Sequence, residues 1–131
     1  DDCFVHWVSW VRSSQLFLLR WHPGPHSGER NSSFALATLP ADRFAGLKGT
    51  GEVETKHLTV TGSKMIITAD VQSGGSVTVS VVGHGTASKP IEANVTDGEI
   101  SGLELSALVG KQVQLKLALK DAAVYTVGFA N

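Results

Sequence analysis

The chain has 131 residues, 42% of them hydrophobic, with 12 acidic side chains against 11 Lys and Arg and a formal net charge of −1. That length suits one domain with a real core and is short for two. No basic field exists to hold a phosphate backbone or an anionic membrane, so nucleic acid is not an expected partner, and 14 glycines against 4 prolines describe a folded, turn-rich protein.

The opening Asp1-Asp2-Cys3 lacks a methionine, as a processed or trimmed chain would. Phe4 to Val11 and Leu16 to Trp21 are rich in aromatic and β-branched residues and predict a hairpin turning at Arg12 to Gln15. The same apolar run is broken by His6, Arg12, Arg20 and Ser13-Ser14-Gln15, so it cannot supply the ~20 apolar residues of a membrane span. His22 to Ser33 reads as a loop, because its prolines and glycines interrupt any ladder. Phe34 to Leu39 predicts a short strand and Arg43 to Leu47 another, with Lys48 to Gly51 leading into the second half.

From there the hydrophobic period is two. Lys64 to Val71 and Ser76 to Val82 predict two strands joined by a Gln72-Ser73-Gly74-Gly75 turn. Val77, Val79 and Val81 share one face, as do Val113, Leu115, Leu117 and Leu119, so each strand lies with one side on a core. Leu105 to Gly110 has the length of one helical turn closed by glycine, and Val124 to Phe129 is the closing strand. Short strands between turn signals predict an all-β fold: an antiparallel β-sandwich or jelly-roll preceded by an N-terminal β-hairpin. The chain reads as a single domain over 1–131, with its N-terminal segment over 1–49 and the sandwich strands over 50–131.

Two stretches resemble a known family. Gly24, Pro25, His26, Arg30, Ala37 to Leu39 and Asp42 to Gly46 are similar to the Gly-Pro-His loop, Arg and LATL..DRFA run that end the last blade of glycoside hydrolases with a five-bladed β-propeller and an appended β-sandwich. Leu105 to Lys111 and Asp121 to Tyr125 resemble the DLSALVGK and DA.LY pattern closing that sandwich, with Glu104 replacing the family's Asp. In those enzymes the catalytic carboxylates lie on earlier blades, which this chain lacks. The resemblance therefore implies a carbohydrate-associated fold without the catalytic machinery, its N-terminal part a blade-like segment. Within the Asp42-Arg43-Phe44 match, Asp42 reads as a turn or cap residue and Phe44 as a core plug.

A glycosidase needs two carboxylates across the scissile bond, ~5–10 Å apart. Asp70, Asp97 and Asp121 fall instead at predicted turns, where Asp is expected for its backbone-bonding side chain, and no enzymatic activity is expected. His6, His22, His26 and His84 sit in a hairpin, a proline-bearing loop and a glycine-flanked turn, poor scaffolds for zinc. No calcium loop signature appears, and neither metal nor cofactor is expected.

A sugar's C–H face stacks on an aromatic ring while its hydroxyls take directed hydrogen bonds. The N-terminal third offers both, with Trp7, Trp10 and Trp21 beside a polar loop carrying His22, His26, Glu29, Arg30 and Asn31. Read singly, each tryptophan is a core residue and each loop polar a solvated one; the cluster reads as a carbohydrate site. The expected function is that of a secreted, non-enzymatic lectin for glycans or glycoproteins, galactose-containing ones included because galactose stacks readily on tryptophan. The alternative is a structural or accessory β-sandwich module related to glycoside hydrolases; a minimal glycosidase ranks last. Sequons at Asn31 and Asn94 suit secretion and N-glycosylation. Cys3 is unpaired within the chain and suits an intermolecular disulfide in a homo-oligomer or a plain thiol.

Overall fold

A computed structural model describes residues 3–11, 14–21 and 33–131, with side chains from Ala37 onward. The chain forms two compact units, Asp1–Phe44 and Ala45–Asn131. Among the described residues the regular structure is all β, apart from one 3-10 turn at Ser106–Leu108. No helix among them is long and apolar enough to cross a membrane.

The first unit holds β1 (Cys3–Val11), β2 (Ser14–Trp21) and β3 (Ser33–Pro40) in an antiparallel sheet of order β1-β2-β3. The hairpin expected from the aromatic runs is present, with β3 added beside β2. After Pro40 the chain turns: Asp42 adopts a left-handed φ of 58°, and the Arg43 amide donates to the Pro40 carbonyl at 3.3 Å. Asp tolerates that conformation better than most residues, so Asp42 is the turn residue the sequence suggests. The strand expected from Arg43 to Leu47 does not form, because this turn occupies its start and the next strand begins at Leu47. Phe44 is 75% exposed and is not the core plug its chemistry suggested.

The second unit is built on β4 (Leu47–Glu54), β6 (Lys64–Val81), β7 (Val95–Glu99) and β9 (Leu115–Ala130), in the antiparallel order β4-β9-β6-β7. Two short strands, β5 (Leu58–Thr59) and β8 (Gln112–Val113), pair separately. The alternating residues land as their period requires: Val77, Val79, Val81, Val113, Leu115, Leu117 and Leu119 are all buried, together with Val60, Met65, Ile67 and Leu105. Burying side chains of this size contributes about 1.5–3 kcal/mol each, which makes this shared core the main support of the unit.

The expected turn at residues 72–75 does not reverse the chain. β6 runs through it as one 18-residue strand, and β9 likewise joins the two strands expected before and after Asp121. Register explains why. Val71 pairs with Ala122 and Ser76 with Lys120, so residues 72–75 oppose Asp121 alone. On the other side of β9, Gly49 pairs with Ala122 and Gly51 with Leu119, leaving Thr50 opposite Lys120 and Asp121. All three strands therefore bend at one level, as bulges bend strands.

The bend is held by specific atoms. Asp121 has φ 43°. The Thr50 hydroxyl accepts from the Asp121 amide at 2.9 Å and donates to the Asp121 carboxylate at 3.1 Å. A Cβ on Gly75 would lie 2.5 Å from the Lys120 carbonyl oxygen and 2.7 Å from that of Asp121, so only glycine permits the strands to approach there. Asp121 thus marks a bend inside a strand, as does Asp97 in β7 (φ 49°), whose amide donates to the buried Thr68 hydroxyl at 3.1 Å. Asp70 lies within β6 and accepts a hydrogen bond from the Tyr125 hydroxyl at 3.0 Å.

Candidate functional site

The residues expected to bind sugar belong to the first unit. Backbone register pairs Trp7 with Leu18, Trp10 with Gln15 and Trp21 with Cys3. Pleat alternation then puts positions 10 and 21 on one face and position 7 on the other, the opposition that the spacing of Trp7 and Trp10 predicts. Gln15 and Trp21 are six residues apart along β2, so positions 10 and 21 lie about 20 Å apart. Trp21 ends β2. His22, His26, Glu29, Arg30 and Asn31 lie outside the described residues, as do the side chains of Cys3 and the three tryptophans. Asn94 is exposed, and its side-chain oxygen accepts the Val71 amide at 2.7 Å where β6 enters the bend.

In the second unit the open feature is the β4 edge. Positions 47, 49, 51 and 53 share the face that carries Leu117, Leu119, Ala122 and Val124 on β9. Two of those four positions are glycine, with φ of 148° and 154°, and a Cβ at either would meet nothing within 4 Å. The missing side chains leave a groove of about 230 Å³ floored by Leu119 between Leu47 and Val53. A second apolar hollow of about 420 Å³ adjoins it, lined by Leu47, Val53, Leu117, Val124 and Tyr125 among others. Leu47 stands 58% exposed at the rim. The sequence carried a signal for this groove: Leu47-x-Gly49-x-Gly51-x-Val53 keeps the strand period while deleting two inward side chains.

The opposite face is polar. Lys116 Nζ meets Glu52 Oε2 at 2.7 Å beside a hollow of about 400 Å³ lined by Glu54, Ser80, Thr86 and Ala87. The hydrogen bond that Lys116 donates to Glu52, the charge of Glu52 and that of Glu54 raise the Lys116 pKa above the ordinary lysine value, opposed by desolvation.

Acidic side chains here bridge neighbouring strands: Glu52 to Lys116, Asp121 to Thr50, Asp70 to Tyr125, and Glu99 to Lys64 at 3.0 Å. Among the described residues the buried polar side chains are Thr68 and Ser88. Thr68 accepts the Asp97 amide, while Ser88 accepts the Val79 amide and donates to the Lys89 carbonyl. Among the described residues no group of three or more His, Cys, Asp or Glu is placed to hold a metal ion. No protein-family model, curated protein or solved structure matches the chain. Fold and site together define an all-β chain of two units, the second a bent antiparallel sheet with one open, glycine-bearing edge.

Proposed function

We propose that the chain is a non-catalytic accessory β module of a carbohydrate-active protein, its second unit closing as a sandwich over the core formed by β4, β6 and β9. The observation that carries this reading is the structural use of four of the described acidic groups: Glu52, Asp70, Glu99 and Asp121 each tie one strand to the next. The carbohydrate association rests on the resemblance to propeller glycosidases. Its matched residues from Asp42 onward fall where backbone geometry is set, at the turn after β3, around the 3-10 turn from Ser106 and at the Asp121 bend.

A second reading, a secreted lectin for galactose-containing glycans that assembles as a homo-oligomer, draws on Trp21, which ends β2, and on His22, His26, Glu29, Arg30 and Asn31, which follow it in the sequence. A broad glycan array, run at neutral pH on folded protein with and without chelator and reductant, separates the two. The module reading predicts a blank array and tryptophan fluorescence unchanged by sugar. Binding of a defined terminal sugar, quenching included, would replace it with the lectin. Turnover of a glycoside would overturn both.

A further inference from the structure

The β4 edge is self-complementary, and we propose that it pairs with the β4 edge of a second copy of this chain, antiparallel about a two-fold axis at Thr50. This inference is independent of the functional reading above.

Backbone geometry comes first. The Thr55 amide donates to the Leu115 carbonyl at 2.9 Å. Alternation along an antiparallel pair then turns the backbone groups of positions 53 and 51 toward β9, and those of positions 48, 50, 52 and 54 outward. β4 pairs with β9 alone among the described strands. An eight-residue strand with such an edge is a ready template for another strand.

Charge and apolar pattern select the occupant. With Thr50 opposite its own copy, Lys48 faces Glu52 of the partner subunit, and Glu52 faces Lys48 of the partner subunit. On the apolar face Leu47 meets Val53 of the partner subunit, again twice. Gly49 and Gly51 oppose each other and place no side chain between the backbones. The register uses the outward-turned positions for its hydrogen bonds, and opposite charges at directly paired positions are the favourable arrangement. A slip of two residues either way parts Leu47 from Val53, and in one direction also leaves Lys48 without an acidic partner. The two-fold repeats every contact, as an isologous interface must. Glu52 holds Lys116 on its own subunit yet stays 60% exposed, open to a second cation.

Sedimentation of the full chain under reductant, so that Cys3 cannot link copies, tests the proposal. The wild type should show a reversible, concentration-dependent dimer. Lys48→Glu sets two acids opposite each other and Glu52→Lys two lysines; each alone should weaken association at least tenfold. An equimolar mixture of these two variants should regain the dimer as a heterodimer, because every charged pair is again opposite in sign. Leu47→Asp, which leaves the Glu52–Lys116 pair intact, should also dissociate it. A wild type monomeric at several hundred micromolar, a dimer indifferent to these substitutions, or a mixture with no recovery would overturn the proposal.

Discussion

The two edges of the four-stranded sheet differ sharply. At β7 the edge is five residues long, broken by a register shift between Ile67 and Ala69 on its partner, and bent by Asp97 at positive φ. The chain before it meets β6 through the isolated bridges Val77 to Ile91 and Ser80 to Ala87 and through side chains, Ser88 on Val79 and Asn94 on Val71, with no continuous ladder between them. Short, bulged pieces of this kind blunt an edge against further pairing. β4, at the opposite side, runs eight residues with matched charges and two glycines. One sheet thus carries a closed edge and an open one, and the open one is tied to the bend through Thr50 and Asp121.

Substitution at the centre of the bend should cost the most. Gly75→Ala drives a Cβ into two carbonyl oxygens, and chemical denaturation should show about 3 kcal/mol of lost stability, the upper end for forced overpacking. Thr68→Val keeps the buried shape and removes the acceptor of the Asp97 amide. A loss of about 2 kcal/mol follows from leaving that donor unpaired, with faster amide exchange confined to β7. Thr50→Val removes both bonds to Asp121 at an exposed site; about 1 kcal/mol should go, with exchange rising at β4 while β7 is unchanged.

The smallest effect concerns Lys116. Its pKa is raised in the folded chain, so its contribution is fully present below the unfolded lysine value near 10.4 and lost as pH rises through the folded value. Stability should show no Lys116-dependent change between neutral pH and about pH 9. Glu52→Gln should lower the Lys116 pKa in an NMR titration, and an unmoved titration would remove Glu52 as its cause.

Sequence pattern revealed the strands far better than their joints. Val77, Val79, Val81 and the Val113 to Leu119 series declared their buried face because the side-chain period of a strand is two. Gln72-Ser73-Gly74-Gly75 looked like a reversal because glycine-rich runs serve hairpins and bulges alike; register with β9, a long-range property, decides between them. Phe44 shows the limit of reading burial from side-chain chemistry, since hydrophobicity alone does not say which apolar residues stay outside. The β4 groove was legible in principle from Gly49 and Gly51, but finding it requires knowing that their face is the one shared with Leu117 and Leu119. The expected sugar cluster rests on residues between His22 and Asn31 whose grouping no local period encodes.

Residue-resolved hydrogen exchange across β4, followed as a function of protein concentration, tests the open edge most directly. At low concentration the amides of Gly51 and Val53, turned toward β9, should exchange slowly and those of Thr50 and Glu52 quickly. At high concentration Thr50 and Glu52 should slow as a second copy covers them. Uniform protection along β4 at every concentration would show that this edge is not open and would contradict the account.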